Sequence, residues 1–260
     1  SMGQYFRILQ EKIKMASKMN DSVPFTRISS GCLEEYKSQY PNVYQKGALI
    51  GMCLDIQLRK LSGGRMGTQE LMRELAKSYG EDRPFRDDEL FDKITALTYP
   101  EIGAFFKKHV DGPDPLPYAE VLGMAGLRYE PQYRSEVLAF GHAEMKPHPV
   151  TGRLQIVGTD NMDKFGQRLG YEVEDELVSF DGKPVNPGNS EDIFARYQAE
   201  HRAGDIIKAV VRRPDGKGKY EEKVLKAKAM RIELQDTHLI RIDPQATPEQ
   251  LAVRKAWLGH

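Results

Sequence analysis

The stretch Gly170-Tyr-Glu-Val-Glu-Asp-Glu-Leu-Val-Ser-Phe-Asp-Gly182-Lys-Pro-Val185 decides the fold of the second half of the chain. It contains a short apolar run, Glu176–Phe180, followed at once by Asp181-Gly182, a dipeptide typical of tight turns. Other runs rich in Val, Ile, Leu and Phe lie on both sides, at residues 136–140, 153–157, 206–212 and 221–227. One helix is predicted among them, at residues 190–201. These short strands, turns and single helix predict a compact α+β domain of roughly a hundred residues.

The first half of the chain has a helical pattern instead. Apolar residues recur at steps of three and four near its start: Phe6, Leu9, Ile13 and Ala16. A longer helix is predicted at residues 45–61, and because it is apolar on two faces we expect it at the centre of a bundle, ending at Gly63. Further helices are predicted at residues 68–79, 87–97 and 118–124, and capping boxes at Thr98-Tyr-Pro-Glu101 and Thr247-Pro-Glu-Gln250 predict two more.

Charge and composition exclude several classes of protein. Lys and Arg number 38, as do Asp and Glu, so the chain is formally neutral. This balance argues against a dedicated binder of nucleic acid, and the basic run at residues 212–228 predicts an exposed, charged hairpin. The longest uncharged apolar run, residues 47–54, is shorter than the ~20 residues that span a bilayer. We therefore expect no nucleic-acid partner and no transmembrane segment.

Few residue patterns carry catalytic chemistry directly. The sequence contains no H-E-x-x-H pair, no G-x-S-x-G, no P-loop and no dinucleotide-binding glycine pattern. His142, Glu144 and His148 form the closest cluster, but the prolines among them prevent a helix, and their spacing predicts a solvated loop. Asp55 and Arg59 are spaced i, i+4 inside the long apolar helix, which predicts an internal ion pair.

The quoted stretch resembles the segment of PDZ domains that runs G, two or three residues, G-D, two apolar positions, x-x-G-x-x-V. Downstream, Ala203-Gly204-Asp205 followed by Ile206-Ile207 and Val210-Val211-Arg212 resembles the G-D-x-(apolar) … V-x-R strand after the second PDZ helix. Glu174 stands where the PDZ pattern has the glycine of its first G-D. The resemblance therefore implies a PDZ-like domain, with the conformation of the turn at this position in question.

PDZ domains bind extended peptides, which add a strand to a sheet edge beside the second helix. Backbone N–H groups of a glycine-containing loop hold the carboxylate of the peptide. The resemblance implies such a loop either at Gly123 and Met124 or at Gly126 and Leu127, and the sequence does not decide between the two. The inserted stretch at residues 130–151 is long enough to cover the groove, so the sequence leaves open whether a ligand binds.

In the helical half, Asn42-Val-Tyr44-Gln-Lys46-Gly47-Ala-Leu, running into Leu54-Asp55-Ile-Gln-Leu-Arg59, resembles the Y-x-K-G-(A/x)-L … L-D-x-x-(I/L)-R block of the glycyl aminopeptidase family. That family consists of zinc metallopeptidases with a thermolysin-like helical catalytic region and a C-terminal PDZ domain. The order of the two resemblances matches the C-terminal half of the family. It implies a multidomain α and α+β fold, in which a PDZ-like domain follows an all-helical region.

The resemblance also implies domain ranges. Residues 1–118 correspond to the helical region, the C-terminal part of a metallopeptidase catalytic domain. Residues 119–232 correspond to the PDZ-like domain, and residues 233–260 to a C-terminal tail with a short helix.

The zinc-binding H-E-x-x-H of the family and its downstream glutamate lie before the matched block, and this sequence has no such pair. Ser1 precedes Met2, which suggests a residue added in cloning and a chain that begins within a longer protein. We therefore expect this chain to hold no cofactor and to be inactive alone. Zinc and a missing N-terminal catalytic part are expected in the full-length protein.

Tyr44 matches the tyrosine of this block, which in related zinc aminopeptidases points toward the metal and donates a hydrogen bond to the oxyanion. A neutral phenol suits that task, because it stabilises developing negative charge without first losing a proton. The alternative is that Tyr44 only caps and packs the start of a helix.

Two functions follow from these resemblances. The first is a fragment of a zinc-dependent aminopeptidase, a hydrolase acting on substrates with N-terminal glycine or similarly small residues. The second is a non-enzymatic module of the PDZ type that binds peptides or protein C-termini or docks onto its own protein.

Overall fold

Residues 2–259 are described by a computed structural model, and they form ten α-helices and eight strands in two sheets. The helices are α1 (Met2–Ser17), α2 (Phe25–Ser30), α3 (Tyr40–Ser62), α4 (Thr68–Ser78), α5 (Leu90–Leu97), α6 (Pro100–His109), α7 (Tyr118–Met124), α8 (Lys164–Leu169), α9 (Ser190–Glu200) and α10 (Pro248–Leu258). The strands are β1 (Leu127–Leu138), β2 (Glu144–Pro147), β3 (Leu154–Gly158), β4 (Glu176–Phe180), β5 (Lys183–Pro184), β6 (Ile206–Pro214), β7 (Tyr220–Lys228) and β8 (Arg231–Ile242). The chain is therefore of mixed α and β class.

The chain divides into two compact units. The first unit comprises Ser1–Tyr133 and Asp236–His260, and the second comprises Arg134–Gln235. These units do not coincide with the predicted ranges 1–118, 119–232 and 233–260. The difference has a physical cause, because α7 and α10 both pack on α3 of the first unit and contribute apolar side chains to its core.

In the first unit α3 is the central helix. It contacts α1, α2, α4, α6, α7 and α10, and it buries Leu49, Cys53, Ile56 and Leu58 completely. This arrangement confirms the prediction made from its two apolar faces. The helix begins at Tyr40, earlier than predicted, because Pro41 fits the first turn of a helix. It ends as predicted at Gly63, which adopts the left-handed conformation with φ of 63°.

One of the two predicted capping boxes forms and the other does not. Thr98 does not cap α6, which begins at Pro100, because the Thr98 hydroxyl donates to the carbonyl oxygen of Ile94 at 2.7 Å. At α10 the box is confirmed: the hydroxyl of Thr247 accepts from the amide of Gln250 at 3.3 Å, and the Gln250 side chain accepts from the Thr247 amide at 2.8 Å. None of the helices within residues 2–259 has the length and apolar composition of a membrane span.

The second unit is built on an antiparallel sheet with strand order β2-β3-β4-β6-β7, and β5 pairs with β4. Its core lies where β3, β4 and β6 meet α8 and α9, and it includes Ile156, Phe165, Leu177, Phe180, Tyr197 and Val211. The strand predicted from the quoted stretch has the same bounds as β4. The predicted insertion at residues 130–151 contains the end of β1 and all of β2, which pairs with β3.

Strands β1 and β8 pair in a separate two-stranded sheet that the sequence did not predict. The predicted tail at residues 233–260 therefore starts inside a strand. Both strands alternate partly buried and exposed residues along much of their length, so the sequence indicated only the end of β1, through the predicted run at residues 136–140.

The turn before β4 contains the predicted departure from the PDZ pattern. Glu174 adopts φ of 74°, the left-handed region that favours glycine, and its amide donates to the carbonyl of Ile156 at 2.8 Å. The position thus requires the backbone conformation of the glycine that the pattern expects, although a glutamate occupies it.

Replacing this residue, Glu174→Gly, is expected to raise the free energy of unfolding by about 0.5–1 kcal/mol. The left-handed conformation costs an L-residue about 1–2 kcal/mol, and the greater unfolded-state entropy of glycine offsets part of the gain. Urea denaturation followed by circular dichroism measures the change. The adjacent Val173→Gly, at an exposed position without positive φ, is the control and is expected to destabilise. A Glu174→Gly protein less stable than the parent chain contradicts the prediction.

Candidate functional site

The tyrosine singled out by the sequence lies near the start of α3. Tyr44 is 60% exposed, and its hydroxyl is 2.8 Å from the hydroxyl of Tyr40, one turn earlier on the same face. The two rings meet edge to face with centroids 5.5 Å apart. The hydrogen bond with Tyr44 raises the pKa of Tyr40 above its ordinary value, so the Tyr40 phenol is protonated at neutral pH. The arrangement presents a pair of hydrogen-bonded phenols to solvent.

Other residues of the same block are buried and have structural partners. Lys46 is 3% exposed, and its ammonium forms an ion pair with the carboxylate of Asp21. A Cβ on Gly47 would lie 3.3 Å from Phe25, so the helix packs closely at this glycine. Tyr44 therefore differs from these neighbours in being exposed.

The predicted internal ion pair is confirmed farther along α3. The carboxylate of Asp55 accepts from Arg59 Nε at 2.9 Å and from the amide and hydroxyl of Thr68 at 2.6 and 3.0 Å. A Cβ on Gly67 would lie 2.4 Å from this carboxylate, which only glycine permits. Asp55 thereby joins α3 to the start of α4 and has a structural role.

The two predicted carboxylate loops belong to the first unit, whereas the sheet that contains β4 belongs to the second. Gly123 and Met124 end α7, and the amide of Gly126 donates to the carbonyl of Gly123 at 2.9 Å. A Cβ on Gly126 would lie 2.6 Å from Ala246, and Leu127 is buried in the helical core. These glycines serve close packing and a helix end, and we do not assign carboxylate binding to them.

A different glycine segment precedes the edge strand of the second unit. Residues 139–143 lead into β2, which stands at one end of the strand order. Gly141 adopts φ of 112°, and a Cβ there would lie 2.9 Å from the ring of Tyr171. The sequence reasoning missed this segment because β2 was not recognised as a strand. Gly141, which lies shortly before that strand, was the available signal.

Helix α9 lies beside this segment. The rings of Phe140 and Phe194 stack with centroids 4.7 Å apart, and the hydroxyl of Tyr197 donates to the carbonyl of Ala139 at 3.0 Å. Burial raises the pKa of Tyr197 to about 12, which keeps this hydroxyl a donor. The second unit therefore places an edge strand, a glycine segment and a helix together.

The amide of that glycine segment is held by a carboxylate of the chain itself. Asp163 accepts from the amide of Gly141 at 3.1 Å through one oxygen, and through the other it caps α8 by accepting from Gly166 at 2.8 Å. His142 Nδ1 is 3.2 Å from the first of these oxygens. An internal carboxylate thus already occupies the backbone donor of Gly141.

A histidine between two carboxylates lies at the end of α9. His201 Nε2 is 2.6 Å from Asp181, and Nδ1 is 3.4 Å from Asp205. Both contacts are satisfied together only when both ring nitrogens carry protons. Partial burial opposes the charge, but the hydrogen bonds and charges of Asp181 and Asp205 outweigh it and raise the pKa of His201 above its ordinary value.

This pair of contacts predicts a pH-dependent stability. Because the folded-state pKa of His201 is raised, its contribution is fully present below the unfolded value of about 6.5 and is lost as pH rises through the folded value. The stability difference between the parent chain and His201→Gln is expected to be largest near pH ~5.5 and to shrink toward pH ~9. Urea denaturation across this range measures it, and Asp181→Asn is expected to remove most of the same dependence. A difference that grows with pH contradicts the assignment.

Zinc, which the family resemblance implies for a full-length protein, does not fit the residues described here. Among residues 2–259, no group of three His, Cys, Asp or Glu side chains is placed to hold a metal ion. His148 instead accepts from the amides of Val150 and Thr151, at 3.2 Å each, within a turn. We therefore derive no catalytic step through zinc.

Comparison with solved structures finds distant likenesses. No protein-family model matches the chain, and no curated protein matches it. The chain is similar to the crystal structure of an aminopeptidase N family protein from Idiomarina loihiensis, with a TM-score of 0.46 and 19% sequence identity. The similarity covers 98% of this chain and 44% of that one, so the chain spans less than half the length of that protein. At this TM-score the likeness carries no conclusion about activity.

Proposed function

We propose that this chain is part of a zinc-dependent aminopeptidase, to which it contributes Tyr44 as a hydrogen-bond donor to the oxyanion of the substrate. The observation that carries the proposal is the contrast within one block of α3. Lys46 and Asp55 are buried and paired inside the fold, whereas the phenol of Tyr44 is exposed, and within residues 2–259 its hydroxyl bonds only the exposed phenol of Tyr40. Packing does not require this hydroxyl, which leaves it available to a substrate.

The hydroxyl pair supports the same role. When Tyr40 donates its proton to the oxygen of Tyr44, the proton of Tyr44 is free to donate elsewhere. A negative charge that develops on a substrate carbonyl oxygen draws that proton into a hydrogen bond, and Tyr40 supports the charge through the same chain of donors. Tyr40 thus acts as a positioning residue for Tyr44.

Residues outside this chain have to hold the metal and supply the general base of the proposed reaction, because the described residues bring together no group of side chains that could bind zinc. The family resemblance implies substrates whose N-terminal residue is glycine or similarly small. The proposal is tested by the hydrolysis of a glycyl chromogenic amide by the full-length protein, called the parent protein below. Tyr44→Phe is the variant that removes only the hydroxyl.

A second candidate function is peptide binding by the second unit, favoured by the position of β2. This strand stands at the end of the sheet order, and α9 lies beside the segment that enters it, as in grooves that accept an added strand. Asp163 already accepts from the amide of Gly141. An extended segment from the interior of a partner chain therefore suits this edge better than a peptide with a free C-terminal carboxylate. Titration with one extended peptide, as the free acid and as the C-terminal amide, distinguishes binding of a C-terminus from binding of an internal segment. Absence of binding by both removes this candidate.

A further inference from the structure

An apolar groove lies between α4, α5 and the loop that joins them in the first unit. Its volume is about 820 Å³, within the range of roughly 300–1,000 Å³ that ligand sites occupy. The side chains that line it are mostly apolar and include Leu71, Met72, Leu75, Phe85, Leu90 and Ile94. The proposed aminopeptidase function uses none of these residues.

The rest of the first unit buries only part of the apolar face of α4. Leu71 and Leu75 are buried, whereas Met72 is 65% exposed. Phe85 in the loop is also exposed, and its ring meets the ring of Tyr79 edge-on with centroids 6.0 Å apart. An exposed methionine beside an exposed aromatic ring is typical of surfaces that receive apolar side chains of a partner.

The rim of the groove is acidic. Glu81 and Asp87 line it and are exposed, and neither takes part in an ion pair within residues 2–259. The nearby Arg86 is already paired, with Asp88 at 2.7 Å and Glu89 at 3.4 Å. The rim therefore carries negative charge that a cationic partner would neutralise.

We propose that this groove binds a basic amphipathic helix, a peptide segment with apolar residues along one face and Lys or Arg beside them. The apolar face covers Met72 and Phe85, and the cations meet Glu81 and Asp87. A helix laid into an apolar groove in this way is a recurring mode of peptide recognition. The site is independent of Tyr44 and of the edge strand β2.

The test is fluorescence anisotropy of the 260-residue chain with a labelled peptide of Leu and Lys that has leucines at i, i+3, i+4 and i+7. We expect saturable binding, weakened at least about tenfold by Met72→Glu, which places a charge in the groove. Leu33→Glu is the matched control, because Leu33 is 75% exposed and lies outside the groove, and it is expected to leave binding unchanged. Circular dichroism confirms that both variants fold.

The acidic rim is tested with the double variant Glu81→Gln, Asp87→Asn. At low salt it is expected to bind the peptide about threefold to tenfold more weakly, a difference that disappears at ~0.5 M salt because salt screens exposed charges. Any of four results overturns the proposal: no binding, equal binding of a Leu/Glu peptide, equal binding of a scrambled Leu/Lys peptide, or equal losses in Met72→Glu and Leu33→Glu. A fifth result also overturns the proposal. If the chain self-associates and Met72→Glu abolishes this association, the groove binds a second copy of the chain.

Discussion

Replacing Asp175 by asparagine is expected to lower the free energy of unfolding by about 3–5 kcal/mol, the effect of breaking a buried ion pair by removing one charge. Asp175 is fully buried and accepts from Arg213 through both oxygens, at 2.7 Å each. The same guanidinium donates to the carbonyl of Gly170 at 2.7 Å, and the amide of Glu172 donates to Asp175 at 2.9 Å. The pair therefore ties the turn before β4 to β6.

The asparagine variant retains the size of the side chain but leaves the Arg213 charge inside the unit with little compensation. The hydrogen bonds with Asp175 raise the pKa of Arg213, so the guanidinium cannot escape by losing its proton. The control is Glu172→Gln, which removes the other, largely exposed partner of the same guanidinium. It is expected to cost less than about 1 kcal/mol, since exposed ion pairs contribute little. Equal losses in the two variants, measured by urea denaturation, contradict the account.

Tyr44→Phe in the parent protein is expected to lower kcat/KM by about 30- to 1,000-fold, which corresponds to about 2–4 kcal/mol of transition-state stabilisation. The loss is expected in kcat with KM changed little, because the hydrogen bond strengthens only as charge develops on the substrate oxygen. Phenylalanine keeps the edge-to-face contact with Tyr40, so the variant removes the hydroxyl and preserves the packing.

Tyr40→Phe is the matched control for that experiment. It removes the neighbouring hydroxyl, 2.8 Å away on the same helix face, and leaves the Tyr44 proton available. We expect a loss of less than about fivefold, since only the indirect support of the charge disappears. Kinetics of Tyr44→Phe that equal those of the parent protein would leave Tyr44 with a structural role alone.

Local patterns were sufficient for much of the fold. The continuous apolar run of β4 and the predicted helix α7 have the bounds that the structure shows, and Gly63 ends α3 where its backbone freedom is needed. Glu174 is an instructive position, because the sequence pattern marked it as unusual and the backbone conformation gives the reason. For β4, α7 and the end of α3, the deciding pattern lies within a few neighbouring residues.

Interactions between distant parts of the chain account for the features that the sequence did not predict. Strands β1 and β8 pair across a long separation, and the residues of the predicted carboxylate loop pack on the region of α10, which follows more than a hundred residues later. No local pattern in residues 123–127 indicates that Gly126 meets Ala246. The site was predicted less well than the fold, since Gly141 is placed by Asp163 and Tyr171, which lie 22 and 30 residues farther along the chain.

The most direct measurement is hydrolysis of a glycyl chromogenic amide by the 260-residue chain and by its parent protein, each with added zinc and with a chelator. The account predicts zinc-dependent hydrolysis by the parent protein and none by the chain alone in either condition, because the described residues bring no metal-binding group together. Zinc-dependent turnover by the chain alone, or none by the parent protein, would contradict it.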